Sequence, residues 1–228
     1  MINALVWCEN IQNKTQADVI STYPEGMHNT IAGFLAADPN ISVTTATLDD
    51  PDCGITDEVL EKLDVILWWG HVGHAKVPDE VVEKIYNRVV KNGLGVICLH
   101  SAHFSKIFKR LMGTACSLSI NAPAFAAEKL WTLLPGHPIA AGIPNPVDIA
   151  AEECSNEYFD IPQPDELVFN AAFEGCRSFR AGAAYHRGRG KVFYFQPGHE
   201  TYPIYRQKEI QNIIMNAVYW AVSPKPRY

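Results

Sequence analysis

The stretch Gly95-Val-Ile-Cys-Leu-His-Ser-Ala-His103 limits the folds open to this chain more than any other. Asn92-Gly93, a helix-stop signal, precedes it, and Val96 to Leu99 form an apolar run too short for a helix. At His100 and Ser101 the run turns polar. Phe104, Ile107, Phe108 and Leu111 then follow at helical spacing until Gly113. A buried strand that passes into a helix with almost no loop makes a sharp elbow. In open α/β sheets such elbows lie at the carboxyl ends of strands, where ligands bind. His100 and Ser101 are therefore placed for chemistry, with helix capping by His100 as the plainer alternative.

The flanking pattern agrees. Ile2–Cys8 reads as a first strand, followed by a long polar loop and by a helix opened at Pro24-Glu25-Gly26, with His28 in its first turn. Ser42–Leu48 alternates like an edge strand, and a short helix capped by Thr56 follows. Asp64–Trp69 is a further strand. Val81, Val82, Ile85, Tyr86, Val89 and Val90 then repeat at helical spacing. This β-α alternation predicts an α/β, flavodoxin-like, doubly wound and mostly parallel sheet with helices on both faces. Glu128–Leu134 is a candidate strand and prolines are frequent from Pro135 to Pro164, so the Ala122–Pro164 region is expected to be an ordered but mostly irregular excursion folded over the rim. Strands at 166–172, 177–185 and 191–195 and an apolar-faced last helix complete a single domain spanning 1–228.

At 47% apolar residues the chain can bury a core without staples. A net charge of -6 and the absence of any basic run argue against nucleic acid and anionic membrane surfaces as partners. No stretch is long enough to span a bilayer, and Met1–Trp7 lacks a basic leader, which reads as a cytoplasmic setting. The six cysteines are scattered, without a C-x-x-C pair, so free thiols are expected, with Cys98 a buried structural residue. The pattern leaves the oligomeric state open, a homo-oligomer included.

Five histidines, His71, His74, His100, His103 and His199, fall at or just past strand ends, and His28 opens a helix on the same side. Chance would spread them over both rims. The H-x-x-H spacing of 71/74 and 100/103 carries no helical chelation argument, because neither pair lies on one helix. A metal site has to be assembled across segments. His28, His100 and His199 surround the expected switch-point crevice and are predicted to bind a divalent metal, zinc by preference, with His71 in reserve. Glu153 or Glu200 is the fourth ligand or the base, which makes His100, His199, Glu153 and Glu200 the candidate catalytic set. Trp7, His71, His74, Ser101 and Tyr202 are candidates for contact with substrate, since flat aromatic faces suit sugar rings.

Several segments together resemble the trehalose-utilisation, or ThuA-like, family. They are Asp64-Val-Ile-Leu-Trp-Trp-Gly-His71, Leu99-His-Ser-Ala102, Tyr158-Phe-Asp-Ile-Pro-Gln-Pro-Asp-Glu-Leu-Val-Phe169 and Gly190-Lys-Val-Phe-Tyr-Phe-Gln-Pro-Gly-His-Glu-Thr-Tyr-Pro203. The resemblance implies a fold related to class I glutamine amidotransferase domains and a role in using trehalose or related disaccharides. Glu153 lies where the family has an acidic residue, although Cys154-Ser155 departs from the usual bulky-Tyr pair. Laid on the amidotransferase elbow without gaps, Cys98 falls on the first glycine, His100 on the nucleophilic cysteine and Ala102 on the second glycine. A cysteine inside the strand cannot reach substrate, so glutaminase activity is not expected.

Three readings follow. The first is an enzyme acting on a sugar or oxidised sugar by metal-assisted or histidine/glutamate acid-base chemistry. The second is a non-catalytic carbohydrate-binding or accessory protein of the same pathway. The third is hydrolysis through Ser101, which requires Ser101 at the elbow tip.

Overall fold

The computed structural model describes residues 1–174 and 177–222. The strands are β1 (Ile2–Cys8), β2 (Ile41–Thr47), β3 (Val65–Trp69), β4 (Gly95–Leu99), β5 (Ser119–Thr132), β6 (Val147–Asn156), β7 (Glu166–Phe173), β8 (Arg177–Arg187) and β9 (Gly190–Phe195). The helices are α1 (Gln12–Thr15), α2 (Ala17–Thr22), α3 (Met27–Leu35), α4 (Asp57–Lys62), α5 (Asp79–Asn92), α6 (Lys106–Met112) and α7 (Lys208–Ala221). All strands join one nine-stranded sheet in the order β2-β1-β3-β4-β9-β8-β7-β5-β6.

The expectation of a mostly parallel sheet is corrected to a mixed one. Pairings from β2 to β9 through β4 are parallel. Those from β9 through β8, β7 and β5 to β6 are antiparallel. The supposedly irregular 122–164 stretch accounts for much of the difference, because it contributes the long strands β5 and β6. Their pairing has register shifts at Ile120/Phe125 and Ala126/Glu128, and such bulges disguise the two-residue alternation by which a strand is read from sequence. The polar stretch after β1 is likewise no simple loop, since it holds α1 and α2.

All five residues of β4 are buried, as expected of a strand covered on both faces. Close packing fixes its start: a Cβ on Gly95 would stand 2.8 Å from the Ala221 side chain of α7. The preceding α5 turns Val81, Val82, Ile85 and Val89 inward and stops at Gly93, whose φ of 83° suits a residue without a Cβ. Register then sets the rim. Cys8 pairs with Trp69, Trp69 with Leu99 and Leu99 with Phe195. The carboxyl ends of β1, β3, β4 and β9 are thus level, and Glu9, Gly70, His100 and Gln196 leave the sheet side by side.

Candidate metal centre

Three of the four rim strands deliver an imidazole to one point. Among the described residues, ligand-capable atoms of His71, His100, His199 and Glu200 all lie within 4.8 Å of one another. The ring centroids of His100 and His199 are 5.3 Å apart, and His71 is 5.9 Å from each. His100 stands at the elbow tip with φ 52°, a left-handed conformation unusual for a residue with a Cβ. Ser101 follows it, buried, in the turn 100–104. The tip that serine hydrolysis requires is therefore occupied by His100.

Hydrogen bonds fix the His100 ring. Its Nδ1 is 3.0 Å from the main-chain oxygen of Gln196, which can only accept, so the proton sits on Nδ1. The buried Nε2 keeps its lone pair and has no hydrogen-bond partner, although a Glu153 carboxylate oxygen lies 3.5 Å away. A buried orphan nitrogen of this kind suits a metal ligand, and an imidazole whose second nitrogen donates to a carbonyl is in the tautomer such a ligand needs.

His71 Nδ1 contacts both oxygens of Glu200, at 3.0 and 3.1 Å, and Gln12 donates to the same carboxylate. Burial alone would lower the His71 pKa, but the Glu200 bond and charge, with help from Glu153 and Glu9, raise it above 6.5. Burial opposes ionisation of Glu200 as well. The bond to His71 and the nearby histidines outweigh it and hold the carboxyl at about 2. Burial, reinforced by the neighbouring imidazoles, keeps His100 well below the usual range, and burial also lowers His199. His199 Nδ1 accepts from the main-chain N–H of Thr201 at 3.3 Å and lies 2.9 Å from Thr201 Oγ1, which fixes the ring beside the cluster.

Two carboxylates brace this set. Glu9 accepts from the main-chain N–H of Val72 at 2.8 Å and of Gly73 at 2.7 Å, which pins the loop carrying His71. Glu152, fully buried, accepts from the N–H groups of Gly198, His199 and Glu153. Burial still pushes its carboxyl up to about 8 against those donors. Glu153 itself, raised by burial, faces the cluster from β6. Opposite it in register, Phe125 of β5 meets His199 edge-on at 4.9 Å and Tyr202 at 5.6 Å. Phe125 and Tyr202 thus wall one side of His199.

Several expected positions are corrected. His28 is not in the cluster: its ring folds back over Gly26, and its charged neighbours are Asp50 and Lys14. His71 takes its place. Trp7 is 1% exposed, stacks on Trp68 at 3.9 Å and donates its indole N–H to Cys53 O, so it cannot meet substrate. His74 lies outside the cluster, between Gly70 and Phe104, and burial lowers its pKa to about 4. Residues the sequence reading did not weigh, Phe125, Gln12 and Gln196, are brought to the site by strand register and by α1.

Cys98 lies inside β4 and is fully buried, and burial raises its thiol pKa. Cys98→Ala is expected to cost about 1 kcal/mol, the scale of a small core truncation. Metal affinity should be unchanged, which titration of the variant would check. Cys8, Cys53, Cys98 and Cys116 are free thiols, and Cys176 lies outside the described residues.

His103 donates from Nδ1 to Cys116 O at 2.8 Å, and burial lowers its pKa to about 4 from 6.5. As pH falls below 6.5 the unfolded chain takes up this proton first. The contribution of neutral His103 is therefore complete above that value and is lost between pH 6.5 and about 4. A shift of that size corresponds to about 3 kcal/mol. Urea unfolding across this window should show a shallower loss of stability in His103→Asn than in the parent chain.

The architecture is shared with solved structures at low identity. A ThuA-like protein from Parabacteroides merdae superposes with a TM-score of 0.70 at 15% identity, covering 99% of this chain and 92% of its own. A cytoplasmic protein from Salmonella typhimurium LT2 gives 0.65 at 12% identity, covering 97% and 100%. PurLQS from Thermotoga maritima gives 0.60 at 14% identity, covering 96% and 98%, so it shares the fold. No curated protein matches. The ThuA family model, described as trehalose utilisation, matches residues 3–221, and the chain belongs to that family. Among the described residues, no helix is long and apolar enough to cross a membrane.

Proposed function

We propose that this chain is an enzyme of trehalose or related disaccharide utilisation that acts on a sugar or oxidised sugar at a divalent-metal centre. His71, His100, His199 and Glu200 would hold the ion. The observation that carries the reading is the convergence of three imidazoles and a carboxylate, one of them with an orphan buried nitrogen. A nitrogen-rich set with one carboxylate suits zinc better than calcium or magnesium. A bound divalent ion supplies Lewis acidity toward a substrate oxygen.

The chain's own groups then have distinct tasks. Glu153, 3.5 Å from His100 Nε2 and only partly exposed, is the proton acceptor nearest the cluster. Burial raises its pKa above the usual carboxylate value, which makes it a stronger base toward a substrate proton. Phe125 and Tyr202 offer aromatic edges and faces against which a sugar's C–H groups can pack. We read the parallel half of the sheet, β2-β1-β3-β4-β9, as a flavodoxin-like, doubly wound core in a single domain.

A metal-free reading draws on the His71–Glu200 pair, an imidazole and carboxylate already sharing a proton. In that case the pair does the acid-base work itself. Turnover of disaccharides and their oxidised derivatives separates the two. The metal-centre reading expects activity that chelator abolishes and zinc restores, and that falls at least about a hundredfold in Glu153→Gln. Activity indifferent to chelator favours the metal-free pair, and sugar binding without turnover favours an accessory role.

A further inference from the structure

Gln12 reaches the cluster from the first short helix, 188 residues ahead of Glu200 in the chain. It opens α1 and is 5% exposed, in a stretch wedged between the two segments that carry His71 and Glu200. On one side, a Cβ on Gly73 of the His71 loop would stand 2.7 Å from Ile11 Cδ1. On the other, Asn13 Nδ2 donates to Tyr23 O at 3.0 Å, and the Tyr23 hydroxyl donates to Tyr202 O at 2.6 Å. The Thr22 hydroxyl adds a bond to Thr201 O at 3.2 Å. Residues 11–23 are therefore held against both the His71 loop and the segment 199–202.

Between these anchors Gln12 Nε2 donates to Glu200 Oε1 at 2.5 Å. The partner fixes the orientation of the amide, because an ionised carboxylate can only accept and so must face the nitrogen. His71 Nδ1 lies 3.0 Å from the same oxygen, so both lone pairs of Oε1 are engaged. Oε2 meets His71 at 3.1 Å and lies 3.8 Å from His199 Nδ1, and it has the freer lone pair. At the far end of the amide, Gln12 Oε1 is buried and has no hydrogen-bond partner. Packing alone would favour an apolar side chain here, since a buried acceptor left unpaired costs stability. The bond to Glu200 is what this amide supplies.

We propose that Gln12 is a positioning residue for Glu200: its amide saturates Oε1, holds the carboxylate beside His71 and leaves Oε2 to face the point where the imidazoles converge. The role is exerted through Glu200, and it deepens the metal-centre reading, on which it rests for the ion. The bond itself is made within the chain and exists without metal. Partners that orient a metal-binding group contribute about tenfold to a hundredfold in metal affinity.

The full chain is tested first without metal and then with zinc. In proton–nitrogen NMR of the metal-free parent, the Gln12 side-chain amide should give an N–H signal shifted downfield by the carboxylate. That signal should return to the ordinary amide position in Glu200→Ala. Calorimetric zinc titration should show affinity about tenfold to a hundredfold lower in Gln12→Met, which has similar bulk and no amide. In a Glu200→Ala background the same substitution should have no further effect, because residues that act as one unit are not additive. A packing role would keep the affinity of Gln12→Met at the parent value, or lower it equally in both backgrounds, and either result would overturn the proposal. So would an ordinary Gln12 amide signal in the parent, or one that Glu200→Ala leaves unmoved. Should Gln12→Met not fold, the amide signal decides alone. A parent chain that binds no zinc yet shows the shifted signal would count against the metal centre and leave the hold of Gln12 on Glu200 standing.

Discussion

His100→Ala and His199→Ala should each lower zinc affinity by at least about a hundredfold, beyond the cost of losing an outer-shell partner, while the fold persists. Each residue supplies one of the three imidazoles of the cluster, and His100 Nε2 has no other partner to lose. His71→Ala belongs with them, and it should also leave Glu200 without its main counter-charge. His28→Ala should leave affinity unchanged, because that ring packs over Gly26 outside the cluster. Calorimetric titration of the four variants separates this site from the one built on His28, which the sequence pattern favours. Equal affinity in His100→Ala and the parent chain would count against the ligand set.

The largest effect on stability is expected at Glu152. Its buried carboxyl accepts from the main-chain N–H of Gly198, His199 and Glu153, so it ties β6 to the segment carrying two cluster residues. Glu152→Ala strands these donors away from water. A buried donor without a partner costs about 1–3 kcal/mol, and the total should be about 3–5 kcal/mol once the relief of burying the acid is set against it. Glu152→Gln should recover only part, since its amide can offer one acceptor oxygen and brings N–H groups toward N–H groups. Denaturant unfolding of both variants checks the order. A Glu152→Ala variant as stable as the parent would mean that the segment 197–200 holds its shape without this carboxylate.

The rim was legible in the sequence for a simple reason. Parallel strands of an α/β sheet share a carboxyl edge, so residues just past Trp69, Leu99 and Phe195 become neighbours whatever their separation along the chain. That places His71, His100, His199 and Glu200 together once the strands are found. His28 could not be excluded in this way. Its approach depends on how the polar stretch after β1 folds, and that stretch holds α1 and α2, after which the His28 ring packs back over Gly26. Trp7 misled for a related reason: adjacent strand residues point to opposite faces, and only register shows that Trp7 stacks on Trp68.

In the second half of the sheet β7, β8 and β9 were legible in the sequence, whereas β5 was read only over part of its length and β6 not at all. β5 and β6 carry prolines nearby and a bulged register, so the two-residue alternation that marks a strand is broken. Without that strand the roles of Glu152 and Glu153 could not be separated. They are consecutive, and on β6 one turns into the core while the other faces the imidazoles. Phe125 was invisible for the same reason, since only its pairing with Glu153 brings it over His199.

The central claim is that three histidines and one glutamate of this chain form a metal centre. The most direct measurement is the metal content of the chain purified without chelator, followed by X-ray absorption at the zinc edge on protein loaded with one equivalent. The account predicts one ion per chain and a first shell rich in imidazole nitrogen with carboxylate oxygen and no sulfur. No bound metal even after loading, or a sulfur-containing shell, would contradict it.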